Sequence, residues 1–275
     1  MLLSFFKSST VFLSRRRLTT HTRAAFGAAR MQSVEFEPVA GNDFASLLAC
    51  VESLPAQTCG AKISLVLADS FFLPTVLSDL PTFDSEEERN RYLQYRYEDL
   101  FGMPVGTALA FAAWPQPASP FTLCSAAPAN LVQGLEQAFE RKGGCVTSLC
   151  PRAEVALQTL GDPLPASGWL ASHDEEGLAL YGWGSRGFHR AVSIPGAPTT
   201  PEDLQRTILA EVSLCAHQDV ASDGEQAVYV CSSVWPEMAC DHLPLRLTDW
   251  SAWLPQPASD GIDAVDRLMV GARNA

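Results

Sequence analysis

Residues 168–204 read GWLASHDEEGLALYGWGSRGFHRAVSIPGAPTTPEDL. Three short apolar runs are separated by two tight turns. Trp169 to Ser172 is the first run, and Asp174-Glu175-Glu176-Gly177 the turn after it. Leu178 to Trp183 is the second run, followed by Gly184-Ser185-Arg186-Gly187 and by Phe188 to Ser193. Glycine and aspartate in such turns supply positive φ and local side-chain hydrogen bonds. The spacing predicts an antiparallel three-stranded meander. Thr200-Pro201-Glu202-Asp203 then opens a helix. Thr200 caps it, Pro201 takes the first helical position, and Asp203 lies in the positive first turn.

A meander followed by a helix occurs in each half of the actin-like ATPase fold. The stretch resembles the second half of the actin-like platform proteins of type IV pilus assembly and type II secretion (PilM-like and GspL-like). Arg190, Pro195-Gly196 and Thr200 stand near the Arg, Gly-Gly and helix-opening Thr of that family's pattern. The family's Asp-hydrophobic-Gly phosphate loop is not matched. Its place holds Ala171-Ser172-His173-Asp174-Glu175-Glu176, with two glutamates where a triphosphate would lie.

The resemblance implies two further nucleotide segments. The opening motif falls on Ala25, Phe26, Gly27, Ala28 and Ala29. Ala25 stands where the metal-organising Asp belongs, and Ala28 and Ala29 replace phosphate-binding serines. Near the end, Ser232-Ser233 replaces the Gly-Gly that admits adenosine, and its Cβ atoms and hydroxyls crowd that approach. All three segments are read as vestigial. No cofactor and no metal are therefore expected, nor a catalytic residue.

The chain has 275 residues, 47% of them hydrophobic, enough to bury a sizeable core. Its net charge of −12 disfavours nucleic acid, whose affinity comes mainly from phosphate neutralisation. The charge is uneven. Lys7, Arg15, Arg16, Arg17, Arg23 and Arg30 occur in the first 30 residues without an acid. That segment has three readings: a mitochondrial transit peptide, a leader lying on an anionic membrane surface through Leu2, Leu3, Phe5, Phe6, Phe12 and Leu13, or a disordered extension. Each reading makes residues 1–22 a leader outside the core. No later run reaches the roughly 18 apolar residues of a membrane-spanning helix.

Between the leader and the meander, Asn42 to Pro55 reads as a strand. Lys62 to Leu67 and Phe71 to Leu77 read as a strand pair. Ser85-Glu86-Glu87-Glu88 is a capping box for a helix to about Phe101, stopped by Gly102. Tyr92, Leu93, Arg96, Tyr97, Leu100 and Phe101 form its inward stripe. Tyr95 projects the other way beside Arg91 and Glu98, and these three are the candidate partner contacts. Strands at Thr107 to Trp114 and Phe121 to Ala126, a helix at Pro128 to Lys142, a strand at Cys145 to Leu149 and a helix at Pro151 to Leu160 follow. This order resembles the small inserted subdomain of PilM-like proteins and its return to the first lobe. The expected architecture is α/β: a two-lobed actin-like (ribonuclease H-like) fold with an inserted α+β subdomain. Its boundaries are 1–22 leader, 23–160 first lobe with the insertion at about 58–120, 161–256 second lobe and 257–275 tail.

The eight cysteines form no Cys-x-x-Cys pair, and the five histidines lack zinc-ligand spacing. Buried reduced thiols are expected. Gly182-Trp183-Gly184-Ser185-Arg186-Gly187 spells a dinucleotide fingerprint, but it lies in a hairpin with no helix after it. Asp174, Glu175 and Glu176 read as a solvated acidic turn.

The resemblance implies a non-catalytic cytoplasmic scaffold, peripheral at a bacterial inner membrane. Its partners would be a bitopic, PilN-like assembly protein and other platform subunits, and homodimerisation is compatible with it. Two alternatives remain open: a divergent ATP-binding ATPase and a mitochondrially imported α/β protein.

Overall fold

The computed structural model describes residues 8–23, 30–38, 44–55, 62–115, 119–160, 167–216, 227–232 and 247–249. The meander that the opening stretch predicts is present over residues 168–195, but the wiring is clearest from the start. Strands β1 (Ser8–Leu13), β2 (Arg17–Arg23) and β3 (Arg30–Glu35) form an antiparallel meander. Helix α1 (Ala45–Ser53) follows, and β4 (Lys62–Leu67) returns parallel to β1.

After a 3-10 turn at Asp69–Phe71, β5 (Leu73–Ser78), α2 (Glu86–Phe101), β6 (Leu109–Pro115) and β7 (Phe121–Pro128) build a separate sheet, ordered β5-β7-β6. Helix α3 (Ala129–Glu140) leads back to β8 (Cys145–Pro151), which completes the first sheet as β3-β2-β1-β4-β8. Helix α4 (Arg152–Thr159) crosses to the second lobe. There β9 (Gly168–His173), β10 (Gly177–Gly184), β11 (Gly187–Pro195), α5 (Pro201–Ala216), β12 (Ala227–Ser232) and β13 (Leu247–Asp249) repeat the wiring in the order β11-β10-β9-β12-β13.

The second lobe shows why its sequence was readable. Along β10, Leu178 and Leu180 face α5 in a cluster with Leu204, Ile208 and Cys215, while Ala179, Tyr181 and Trp183 face the main core. That alternation is the period of two of a strand covered on both faces. Thr200 Oγ1 accepts from Asp203 N at 3.2 Å, the cap expected for α5. Gly182 is explained by packing: a Cβ there would stand 2.8 Å from His189 Nε2 and 2.9 Å from the Trp169 ring. Gly187 has φ of 101° in the β10–β11 turn.

The leader expectation is overturned. Residues 8–23 are β1 and β2, and β1 lies between β2 and β4 in the first sheet. Val11, Phe12, Leu13 and Leu18 are buried, as are Thr19, Thr20 and His21. Phe12 and Leu13, which one of the three leader readings lays on a membrane surface, are in the main core. The arginines that gave the segment its leader-like composition fall at the hairpin turn and the outer positions of β2. Import with removal of this segment would delete a strand from inside the sheet.

Three smaller corrections follow from packing. Residues 45–53 are a helix, because Leu47, Cys50, Val51 and Leu54 fall on one buried face at helical spacing. Strands β4 and β5 are not a pair, since β4 joins the first sheet and β5 the insert. The insertion thus excludes β4 and includes all of β7. Helix α2 begins with its box, Ser85 accepting from Glu88 N at 3.1 Å, and ends at Gly102 with φ of 60°. Its buried side chains are Leu93 and Tyr97, whereas Leu100 and Phe101, expected inward, are exposed.

Candidate functional site

The two lobes present equivalent hairpin turns. In the second, Asp174 Oδ1 accepts from Glu176 N at 2.9 Å and Gly177 N at 3.1 Å. In the first, Ser14 Oγ accepts from Arg16 N at 3.3 Å and Arg17 N at 3.0 Å. A short polar side chain bonding to the backbone two and three residues on closes both turns in the same way. The β9–β10 turn therefore corresponds to Ser14-Arg15-Arg16. Ala25, Gly27 and Ala28, read as the vestigial opening loop, fall between β2 and β3 in the chain and lie outside the described residues.

The turns meet. Arg15 Nε is 2.9 Å from Glu176 Oε2, and the side chains are only 33% and 24% exposed. The Arg15 guanidinium also lies 5.7 Å over the Phe71 ring. Burial raises the Glu176 carboxyl above its usual range, opposed first by Arg15. The space enclosed by Phe12, Ser14, Arg17, Ser70, Asp174, Glu175 and Glu176 is about 10 Å³. A single water needs roughly 10–15 Å³. Outside this contact a wider cleft of about 550 Å³ is lined by Arg16, Arg17, Glu35, Phe36, Glu37 and Glu175, with charges of both signs.

A fully buried network lies beneath. The Ser172 hydroxyl donates to Asp69 Oδ2. Arg152 Nε and Nη2 donate to Ser172 Oγ at 3.1 and 3.0 Å, and Arg152 Nε is 3.5 Å from Asp69 Oδ2. The Ala153 N–H donates to Asp69 Oδ1 at 3.0 Å. Asp69 follows β4, Arg152 starts α4, and Ser172 is on β9, so the network ties the first lobe, the crossing helix and the second lobe. Next to it, His173 Nδ1 is 3.0 Å from Ser232 Oγ. Burial, with Arg152 adding to it, pushes His173 down to about 4, so it is neutral at physiological pH.

Of the residues singled out from the sequence, Ser172 is the hub of this network, Ala171 is buried against α5, and Ser232 holds His173. Ser233 lies outside the described residues. The sequence reading missed Arg15, Asp69 and Arg152. Arg190, matched to a family Arg, pairs with Glu211 on α5 at 2.9 Å. On α2, Arg91 pairs with Glu87 at 2.9 Å on the solvent face, and Tyr95 is 66% exposed. Glu98 turns away from them and accepts from Gly106 N at 2.9 Å and Gln94 Nε2 at 2.8 Å.

Burial pushes the Cys124, Cys150 and Cys231 thiols up to about 12, which suppresses the nucleophilic thiolate. Among the described residues no group of three or more His, Cys, Asp or Glu is placed to hold a metal, and no helix is long and apolar enough to cross a membrane.

Two lobes of one repeated wiring, with the turns facing across a cleft, are the actin-like ATPase fold. The cytoplasmic domain of EpsL, an inner-membrane component of the type II secretion system of Vibrio cholerae, superposes over 98% of this chain and 95% of its own (TM-score 0.54, 14% identity). The PilM-PilN type IV pilus biogenesis complex contains a chain that matches 83% of this one, with 82% of its own length covered (TM-score 0.55, 12% identity). A Bacteroides thetaiotaomicron protein with an actin-like ATPase fold matches over 84% of this chain and 85% of its own (TM-score 0.56, 9% identity). No family model matches the chain, and no curated protein does.

Proposed function

We propose that this chain is a non-catalytic scaffold of an assembly platform of the type II secretion or type IV pilus kind, holding the cytoplasmic tail of a membrane partner. The Arg15–Glu176 contact carries the reading. It fills the position between the hairpin turns where a nucleotide's phosphates would sit, and leaves room for about one water. Glu175 and Glu176 would repel a triphosphate there. The likeness in wiring to the EpsL domain and to a chain of the PilM-PilN complex supports the setting.

Magnesium-ATP at millimolar concentration is expected to leave the melting temperature unchanged. A ligand at one hundred times its Kd would add about 2.7 kcal/mol to the native state. A magnesium-dependent rise in melting temperature would favour the divergent ATPase instead and defeat the scaffold reading.

The insert offers the partner surface. Tyr95, Leu100, Phe101 and Val105 are exposed on α2 and the loop after it, beside Arg91. Aromatic and Arg side chains are frequent energetic anchors of protein contacts. Tyr95→Ala should reduce recovery of a bitopic membrane protein from detergent extracts at least several-fold, and Arg91→Ala less, because Arg91 is held by Glu87. Both should keep the wild-type circular dichroism. Equal recovery by wild type and variants, read by mass spectrometry, would move the partner site elsewhere.

A further inference from the structure

A cavity of about 190 Å³ lies where the insert, α4 and the second lobe meet. Ala112, Ala113, Trp114, Leu123 and Ser125 come from the insert, Pro151 ends β8, Glu154 and Leu157 come from α4, and Tyr181 from β10. Its volume is below the roughly 300–1,000 Å³ of pockets for drug-sized molecules, so it suits a fragment-sized ligand. The walls are mostly apolar, and three polar residues, Tyr181, Ser125 and Glu154, are among the lining. The Tyr181 and Ser125 hydroxyl oxygens are buried and have no hydrogen-bond partner among the described residues. Buried hydroxyls are ordinarily satisfied, and each exception calls for a physical explanation.

The third group is Glu154. Burial raises its carboxyl above the usual range, with no cation among the described residues opposing it. Its neighbours are Gln158, whose Nε2 is 3.4 Å from Oε1, the Tyr181 phenol from β10 and the Cys150 thiol from β8, both of which feel its charge. Arg152, two residues earlier on α4, directs its guanidinium to Asp69 and Ser172 instead. A half-buried carboxyl with no counter-ion among the described residues is the costly element of this site, and a cation is what removes the cost. Trp114 adds an indole, the best aromatic surface for a cation.

We propose that this cavity binds a small organic ammonium, its charge on Glu154 and its apolar body against Trp114, Leu123 and Leu157. The ammonium could be that of a free amine or of a lysine side chain on a peptide. The site is separate from the hairpin turns and from the outer face of α2, so it stands whether or not the scaffold reading does.

The test uses the full chain and isothermal titration, with the Trp114 indole NMR signal as a local reporter. Phenethylamine is compared with 2-phenylethanol, its neutral counterpart, and with Nα-acetyl-lysine methylamide. A charge-assisted contact should make an ammonium bind about tenfold tighter than the alcohol. The preference should grow as pH rises through the Glu154 titration. Glu154→Gln should abolish the preference and its pH dependence while leaving circular dichroism intact. Ala112→Leu, at an exposed position of β6 on the rim of the cavity, should weaken all three probes by narrowing it. Tighter binding of phenethylamine assigns a free amine, and tighter binding of the lysine derivative assigns a peptide side chain. Equal affinity for amine and alcohol, an unmoved Trp114 signal, or a preference that survives Glu154→Gln overturns the proposal.

Discussion

A chain lacking residues 1–22 should not fold. The deletion removes β1 from between β2 and β4 and most of β2 with it. Val11, Phe12, Leu13 and Leu18 are at most 2% exposed. Burying each such side chain contributes about 1.5–3 kcal/mol. Four of them reach roughly 6–12 kcal/mol, comparable with the whole 5–15 kcal/mol stability of an ordinary domain. The unpaired edge left on β4 adds an aggregation hazard. The truncated chain should be insoluble or lack a cooperative thermal transition by circular dichroism. A soluble truncation melting within a few degrees of the full chain would show that β1 is dispensable.

Arg152→Met should be the most damaging single substitution at the lobe junction. Arg152 is 0% exposed, and its removal leaves the Asp69 carboxylate buried with only Ser172 and the Ala153 N–H. Breaking one side of a buried pair costs about 3–5 kcal/mol, or roughly 6–20 °C in melting temperature for a chain of this size. Adding Asp69→Asn removes the stranded charge and should recover part of the loss, a coupling read by the double-mutant cycle. Arg15→Ala, at a pair still partly open to solvent, should cost only about 1 kcal/mol. If Arg152→Met is as mild as Arg15→Ala, the network does not hold the lobes together.

The second lobe was legible because its punctuation is local. Asp174, Gly177, Gly184 and Gly187 close turns of four residues, and Thr200-Pro201 announces α5. The insert was legible at Ser85 and Gly102 for the same reason. The first lobe was obscured by composition. Arg15, Arg16 and Arg17 belong to a hairpin turn and the start of β2, but three arginines in an acid-free segment also match targeting sequences, and that reading hid the apolar run Val11-Phe12-Leu13. In α1, neighbouring Leu47 and Leu48, with Cys50 and Val51, make a short run whose period does not separate helix from strand. The junction network could not be read at all. Ser172 and Asp69 are 103 positions apart and Ser172 and Arg152 are 20 apart, and only the fold brings them together.

The insert has a consequence for the order in which the chain assembles. Strand β8 pairs with β4 in the register Lys62↔Cys145, so the first sheet closes only after the intervening residues have left the ribosome. The β1–β2–β3 meander and the β6–β7 hairpin rest on contacts close in the sequence, which form early. Until β8 arrives, one edge of β4 stays open. A folded insert shortens the effective loop between them, so its own stability sets how soon that edge is covered. Pulse-labelled hydrogen exchange during refolding should protect the amides of β2 and β7 before those of β8. Simultaneous protection of all three would show that the sheet closes in one step.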